Sequence, residues 1–439
     1  MNATRLLVAA KRLDPEASSE GICSSRFVQA LVAQGVPVSV LTSDEAATEA
    51  TLRSALPWLT GRLRHGSTLP PSDSSAGAVA RRLRAAVDLA GTTVDGHPTW
   101  YRRSVRAWRD AIATALTDDP PEVLMTRGAG GGFEPHLAVL ELDPEVPWVA
   151  HYHDPWPASR WPPPYQAPRT RAMRLQEQGH ERILRRADAL TFPSARLRDW
   201  IVGDDDALRV KCHVVPHILD PSPAPATGVD QALVAEALDR PFALVHTGTL
   251  LRHRRIDALV EALTAFVAAD QTRRAATRLV LAGPVTPAET DPATARRLAA
   301  LEDDGVVRRY QRRVSRPTAV ALVEGATAAV LIEATGHESP FFPAKLTDYV
   351  RAERPVLALS PRDSVASDLM GEAHPLRVAP DDAEGVLTAI TVLWDADSAG
   401  TTAALRMDEA EAEALRPDRV AATFTQMLDG LTAPTGGGL

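Results

Sequence analysis

The segment from Arg5 to Leu41, RLLVAAKRLDPEASSEGICSSRFVQALVAQGVPVSVL, decides the fold class. It begins with a short apolar run, residues 5–10, of the kind that forms a buried parallel strand. A polar loop follows, and apolar residues at helical spacing then predict a helix over residues 22–34 that Gly35 ends. Residues 36–41 are apolar again. A strand, a helix and a returning strand form the building block of a doubly wound parallel sheet.

The same alternation recurs along the rest of the chain. Residues 216–230 interrupt it, because they contain four prolines and no periodic pattern, which is typical of a linker. Residues 51–101 are irregular and are interpreted as loops and helices at the rim of the first domain. Further strands are predicted at 122–126, 146–152, 187–192 and 211–215 before the linker, and at 242–246, 278–282, 306–310, 328–332 and 356–359 after it.

The pattern predicts an α/β protein with two doubly wound, Rossmann-like domains facing each other across a cleft. The first domain is expected over residues 1–216 and the second over 217–415. Residues 416–439 are expected to form a helix that packs back on the first domain and ends in a frayed tail.

Composition excludes several classes of protein. The chain has 439 residues, 45% hydrophobic and 24% charged, which fits a folded protein of more than one domain. It has no apolar run of about 18 residues, and its first residues lack the pattern of a signal peptide, so neither a membrane span nor a signal peptide is expected. Two cysteines cannot form a disulfide framework, so a cytoplasmic location is expected. The net charge of −8 argues against a nucleic-acid partner, and the oligomeric state stays open.

Lysine is rare in this chain. Only Lys11, Lys211 and Lys345 are lysines among the 48 basic residues. An excess of arginine is typical of a GC-rich bacterial genome, but it makes each remaining lysine a candidate for a specific role.

Lys345 lies in the most informative segment, residues 338–350, ESPFFPAKLTDYV. Its prolines restrict a loop, after which a helix can begin near Ala344. Lys345 then falls in the first turn, with Asp348 one turn later on the same face. Free amides and an ammonium at a helix N-terminus suit a diphosphate, and the carboxylate suits ribose or sugar hydroxyls. The alternative is a solvated i,i+3 ion pair.

Several segments resemble retaining glycosyltransferases of family 4, which have the GT-B fold. Those in the second half are similar to the family's donor domain and those in the first half to its acceptor domain. They are GTLLRHRRID (248–257), LAGP (281–284) and SPFFPAKLTDYVRAERPVLAL (339–359), together with SEG (19–21), HYHDP (151–155) and ADALTFPS (187–194).

The resemblance implies a glycosyltransferase of the hexosyltransferase type, with a UDP- or GDP-linked sugar as donor, no separate cofactor, retention of configuration and no metal. Arg254 and Lys345 would clamp the leaving diphosphate, and Asp348 would hold the ribose. The donor-binding residues implied are Gly248, Thr249, Arg254, Glu338, Phe342, Ala344, Lys345, Leu346 and Asp348.

His153 matches the second histidine of the family's His-x-His motif and is expected, with Arg254 and Lys345, to be catalytic. Its role would be hydrogen bonding to the donor sugar or proton handling near the acceptor. Trp156 suits either an acceptor wall or a cap on the domain, and Gly21 either a turn or a close substrate approach. The residues expected on the acceptor side are Glu20, Gly21, Arg127, Gly128, Asp154 and Trp156.

The chain departs from the family at the first acidic position of the donor motif, where Pro340 stands eight residues before Asp348. Glu338 is the candidate replacement. Three alternatives stay open: a nucleotide-sugar epimerase, a catalytically degenerate nucleotide-binding or regulatory protein, and an NAD-dependent oxidoreductase. The oxidoreductase is disfavoured because Phe133 breaks the glycine pattern of residues 128–132. The acceptor, whether a small molecule, a glycan or a lipid-linked sugar, is not specified, and peripheral contact with anionic lipid stays open.

Overall fold

The computed structural model describes residues 4–43, 56–59, 62–65, 78–128, 130–220, 228–250, 253–285 and 290–433. The chain divides into two compact units. The N-terminal unit comprises Met1–Trp161, Tyr165–Ile218 and Pro417–Leu439, and the C-terminal unit comprises Pro162–Pro164 and Leu219–Arg416.

The N-terminal unit is built on a parallel sheet whose described strands lie in the order β3-β2-β1-β4-β5-β6-β7. The strands are β1 (Leu6–Ala10), β2 (Val38–Thr42), β3 (Leu63–His65), β4 (Val123–Gly128), β5 (Trp148–Tyr152), β6 (Ala189–Phe192) and β7 (Cys212–Val214). Because β1 lies between β2 and β4, the order in which successive strands are added to the sheet reverses at β1. Open parallel sheets bind their ligands at such a point, at the carboxyl ends of the strands.

Alternate residues of β1 enter different hydrophobic clusters, as the two-residue period of a strand requires. Leu6 and Val8 belong to one cluster, and Leu7 and Ala9 belong to the other. Helices therefore cover both faces of the sheet. They are α1 (Ser19–Ala33), α2 (Ala78–Asp95), α3 (Thr99–Asp118), α4 (Glu134–Leu142), α5 (Arg171–Arg186), α6 (Ala195–Val202) and α7 (Asp206–Arg209).

The C-terminal unit has a second parallel sheet, with the strands in the order β10-β9-β8-β11-β13-β15. A separate two-stranded ladder joins β12 to β14. The strands are β8 (Phe242–Thr247), β9 (Thr277–Ala282), β10 (Val307–Tyr310), β11 (Ala328–Ile332), β12 (Glu338–Ser339), β13 (Val356–Leu359), β14 (Asp363–Ser364) and β15 (Arg377–Val378).

One large hydrophobic cluster fills this second unit, and β8 occupies the place that β1 has in the first sheet. The helices are α8 (Gln231–Ala237), α9 (Asp257–Ala268), α10 (Gln271–Ala276), α11 (Pro292–Asp303), α12 (Arg316–Glu324), α13 (Ala344–Arg351), α14 (Val365–Met370), α15 (Ala383–Ser398) and α16 (Glu409–Ala414).

The last described helix, α17 (Pro417–Thr432), lies against α1 in the N-terminal unit. Its Phe424 ring meets the ring of Phe27 edge to face, with the centroids 4.9 Å apart. Both residues are buried, so α17 completes the hydrophobic cluster on that face of the first sheet.

The predicted start of α1 was wrong by three residues. The helix begins at Ser19 because the Ser18 side chain accepts a hydrogen bond from the Gly21 amide and caps the first turn. Glu20 and Gly21, expected in a loop, are therefore helical. Parts of five predicted segments lie outside the described residues: the 51–101 rim, the linker, the 248–257 and 128–132 motifs, and the 432–439 tail. Among the described helices, none has the length and apolar character of a membrane span.

Candidate functional site

Lys345 lies where the start of α13 meets the end of β8. Ala344 is the first residue of the helix, which places Lys345 in its first turn. The Lys345 Nζ donates to the carbonyl oxygen of Thr247 at 2.6 Å and lies 3.4 Å from His246 Nε2. Gly248 leaves room for the ammonium, since a Cβ atom at that position would lie 3.0 Å from Nζ. The helix start and the strand end thus hold one cation between them.

The ammonium of Lys345 has no close counter-ion in the described part of the chain, where no carboxylate lies within 4 Å of Nζ. Burial and then the charge of Arg254 lower the pKa of Lys345 to about 7, against the opposing effect of Asp348. A desolvated cation without a paired carboxylate is a typical feature of a site that binds an anion.

Arg254 precedes α9 and acts on the same neighbourhood. Its charge lowers the pKa of His246 as well as that of Lys345. The side chain is partly buried, and its Nε has no hydrogen-bond partner among the described residues. The structure therefore brings together two cations that the sequence places 91 residues apart.

Asp348 lies one turn after Lys345 and close to an ion pair formed by Arg316 and Asp220. Arg316 Nη2 contacts Asp220 through an ion pair and lies 3.6 Å from Asp348 Oδ1. All three side chains are less than a quarter exposed. Sequence reasoning did not identify Arg316, because it lies 32 residues from Asp348 along the chain, at the start of α12.

Sequence reasoning also missed Glu333, a buried acid directly after β11. Its carboxylate accepts hydrogen bonds from Ser339 Oγ at 2.9 Å and from Ser360 Oγ, and burial raises its pKa. Glu338, the candidate replacement for the missing acid, is exposed in β12. The available signal was the position of Glu333, since a polar residue that ends an apolar parallel strand commonly reaches the ligand edge.

Of four other predicted donor-binding residues, two are buried in the core and two are partly exposed. Phe342 and Leu346 belong to the hydrophobic core, so only their backbone could contact a donor. Thr249 and Ala344 are partly exposed.

The N-terminal unit has a small pocket at the carboxyl edge of its sheet. It opens beside the ends of β1, β4 and β5 and the first turns of α1. Its lining contains three cations, one carboxylate and two imidazoles. The lining residues are Lys11, Arg12, Glu20, Ser24, Arg127, Gly128, His151 and His153.

Two histidines in the pocket are held in their neutral form, since burial lowers the pKa of both. His151 Nδ1 lies 3.0 Å from Thr191 Oγ1, and its Nε2 has no partner among the described residues. His153 stacks on His217, with the ring centroids 4.6 Å apart. The structure therefore places His153 at the sheet edge, with a second imidazole beside it.

A group of charged residues surrounds Glu20. Burial first, and then Asp154, raises the pKa of Glu20 to about 7; Lys11 and Arg12 oppose this rise, and Glu134 adds to it. Lys11 Nζ lies 2.7 Å from Oε1 of Glu134, which is fully buried. Asp154 Oδ2 accepts a hydrogen bond from the Gly130 amide at 2.9 Å. The raised pKa of Glu20 therefore lies near neutral pH.

Three predicted acceptor-side residues have structural roles. A Cβ atom on Gly21 would lie 1.9 Å from the Asp14 carbonyl oxygen, so glycine permits the close packing of α1 on the preceding loop. A Cβ on Gly128 would lie 2.9 Å from His136 Cε1. Trp156 is buried and stacks on Phe133 at 4.8 Å, so its side chain caps the interior and does not form an open wall.

The comparisons with known proteins fit this architecture. Residues 21–217 match the family described as the glycosyl transferase 4-like domain. A glycosyltransferase structure from Rickettsia africae aligns with 99% of this chain and 100% of its own, at 11% identity and a TM-score of 0.63. The chain has the GT-B fold.

Two other GT-B structures have named activities. A UDP-forming α,α-trehalose-phosphate synthase from Burkholderia xenovorans, in complex with glucose-6-phosphate, shares 17% identity over 97% of this chain and 100% of its own, with a TM-score of 0.60. A Listeria monocytogenes protein assigned as a UDP-N-acetylglucosamine 2-epimerase shares 12% identity over 98% and 96%, with a TM-score of 0.57. No sequence of a curated protein matches the chain.

Proposed function

We propose that this protein is a glycosyltransferase that transfers a sugar from a nucleoside diphosphate sugar to an acceptor. The glycosyl transferase 4-like match over residues 21–217 and the GT-B fold support the reaction class. The single observation that carries the donor assignment is the Lys345 ammonium at the start of α13, which has no paired carboxylate in the described chain.

A nucleoside diphosphate fits the chemistry of this group. The first turn of α13 offers amides without helical partners, and Lys345 and Arg254 add two positive charges. When the bond between the sugar and the diphosphate breaks, negative charge develops on the leaving phosphate. Cations already in place stabilise that charge, and a bound divalent metal would not be required. We extend the proposal to UDP- or GDP-linked hexoses and to retention of configuration, on the family resemblance alone.

Asp348 is proposed to accept hydrogen bonds from the ribose hydroxyls. Arg316 Nη2, 3.6 Å from Asp348 Oδ1, lies close enough to fix the orientation of this carboxylate. His153, with Glu20 and Asp154 nearby in the fold, is proposed to serve the acceptor side, where a small molecule, a glycan or a lipid-linked sugar would bind.

Isothermal titration with UDP, GDP and their sugar conjugates tests the donor assignment. Lys345→Ala should weaken binding of the preferred nucleotide about 100-fold, because truncating one partner of a desolvated charge pair typically costs 2–5 kcal/mol. Lys211→Gln is the matched control, since Lys211 caps the carbonyl groups of Arg185 and Ala187 in the other unit. If no nucleotide binds the wild type, or if Lys345→Ala binds as the wild type does, the assignment is wrong.

A nucleotide-sugar epimerase is the second candidate, since an assigned epimerase shares the fold. It would convert the donor into an epimer without any acceptor. Incubation with the donor alone, followed by analysis of the sugar, separates the two: an epimer indicates the epimerase, whereas free sugar or no change favours transfer. Tight nucleotide binding without turnover across an acceptor panel would indicate a degenerate binding protein.

A further inference from the structure

Arg127 is a buried cation at the carboxyl end of β4. The residue is 7% exposed and lines the pocket of the N-terminal unit. Its Nε donates to Ser24 Oγ at 3.2 Å, and its Cζ lies 4.7 Å from the centre of the Phe27 ring. These contacts fix the plane of the guanidinium but use only one of its five N–H groups.

No carboxylate of the described residues compensates the charge of Arg127. Nη1 is buried without a hydrogen-bond partner, and no carboxylate of the described chain lies within 4 Å of the guanidinium. Within the described part of the chain, the favourable electrostatic effect on it comes from Cys23, a thiol. Burial lowers the pKa of Arg127 to about 10, so the side chain still carries its charge at neutral pH.

A buried charge without a partner is unfavourable, and proteins normally pair such charges. At least one other buried guanidinium of the described chain follows that rule. Arg278, for example, is 2% exposed and forms an ion pair with Asp239. Arg127 differs from Arg278 in this respect, and its charge therefore calls for a partner from outside the chain.

A second group in the pocket points to the same kind of ligand. His151 is 1% exposed, and its buried Nε2 has no hydrogen-bond partner in the described part of the chain. When its Nδ1 accepts the hydrogen of Thr191 Oγ1, the neutral ring carries its proton on Nε2. A guanidinium fork and an imidazole N–H together suit an oxyanion, which accepts several hydrogen bonds at once.

We propose that Arg127 and His151 form an oxyanion subsite of the N-terminal unit, and that the acceptor of this enzyme carries a phosphate or carboxylate group that binds there. The assignment of the ligand as the acceptor rests on the proposed glycosyltransferase function, whereas oxyanion binding itself does not. Glu20 and Asp154 lie at the same sheet edge and would face the hydroxyl groups of such an acceptor.

The test measures binding of inorganic phosphate, glucose 6-phosphate, glucuronate and glucose to the full-length protein by isothermal titration. Arg127→Met removes the charge but keeps the aliphatic volume, and Arg127→Lys keeps a charge but loses the fork. Arg5→Met is the matched control, because Arg5 is an exposed arginine at the opposite end of β1.

The wild type and Arg5→Met should bind the anionic probes and not glucose. Arg127→Met should bind them at least about tenfold more weakly, and Arg127→Lys should show an intermediate loss. Because an unpaired buried charge is removed, the midpoint of thermal unfolding of Arg127→Met without ligand should be no lower than that of the wild type.

Two results would overturn the proposal. One is equal anion binding by Arg127→Met and the wild type. The other combines two observations. Arg127→Met would fail to fold or would unfold at a temperature well below that of the wild type, and Arg127→Lys would bind anions no better than glucose. The guanidinium would then be a structural group.

Nucleotide titrations on the same preparations separate this proposal from the donor assignment. Loss of nucleotide binding in Lys345→Ala with anion binding intact supports both sites. Anion binding that disappears in Lys345→Ala and persists in Arg127→Met would assign the anions to the donor site and overturn the subsite alone.

Discussion

Lys345 in the C-terminal unit and Arg127 in the N-terminal unit occupy comparable places in the two sheets. Each lies at the carboxyl edge of a parallel sheet, beside the strand at which the strand order reverses. Neither has a carboxylate partner within 4 Å in the described chain. The difference lies in the chemistry of the two cations. Burial brings the pKa of Lys345 to about 7, whereas Arg127 remains protonated. Desolvation therefore makes one site switchable by pH and leaves the other permanently charged.

The largest expected effect separates the roles of the two cations. Lys345→Ala should lower the rate of donor hydrolysis by about 10²–10³-fold, because the ammonium would stabilise charge that develops in the transition state. Arg127→Met should act mainly through the KM of an anionic acceptor. Chromatography of the released nucleotide measures the first effect, with Lys211→Gln as the control. A rate loss in Lys211→Gln as large as that in Lys345→Ala would contradict the comparison.

The second prediction concerns pH. Below pH 7 Lys345 is protonated in the free protein, so donor affinity should be constant. Above pH 7 binding must take up a proton, and affinity should fall by up to about tenfold per pH unit until the pKa of the bound state is reached. Titration calorimetry of the preferred nucleotide sugar in buffers of different ionisation enthalpy measures this uptake.

Arg254→Gln sharpens the same prediction. Removing the neighbouring positive charge should raise the pKa of Lys345, so the loss of affinity should begin at a higher pH than in the wild type. A profile without any proton uptake near pH 7 would show that the ammonium does not contact the ligand.

The third prediction compares two glycines. Gly248 and Gly35 both have left-handed backbone, with φ of 97° and 81°. Alanine should destabilise either position by about 1–2 kcal/mol. Only at Gly248 does the new Cβ approach Lys345 Nζ, so Gly248→Ala should also weaken nucleotide binding several-fold. Chemical denaturation and calorimetry measure the two effects, and equal affinities in both variants would contradict the geometry.

The last prediction concerns the effect of pH on stability at the N-terminal site. The folded-state pKa of Glu20 lies above its unfolded value, so the folded protein holds the extra proton between pH 4.5 and about 7. Stability therefore falls as pH rises through this range. Glu20→Gln should match the wild type near pH 4.5 and unfold at a higher temperature than the wild type at pH 8. Glu122→Gln, which removes an exposed carboxylate, should not reproduce this difference.

The sequence predicted the fold well because strands buried on both faces leave continuous apolar runs and helices leave a clear period. It also predicted that Lys345 lies in the first turn of a helix, since a helix start after proline is a local feature. It could not reveal Glu333 or Arg316, whose partners are distant along the chain. Trp156 was noticed in the sequence, but its role could not be predicted. An aromatic residue after a strand suits a ligand wall or a core equally well, and only the packing seen in the structure distinguishes the two.

Phe27 connects two parts of the N-terminal unit that are made at different times. One contact of its ring is the guanidinium of Arg127, and another is Phe424 of α17. During synthesis the ribosome completes residues 1–216 about 200 residues before it delivers Phe424. The first sheet therefore leaves the tunnel with part of its apolar face uncovered, and the ring beneath Arg127 gains its last support only when α17 docks. A shortened protein that ends before Pro417 would consequently expose apolar surface. The Phe27 ring that packs against Arg127 would then be less well fixed.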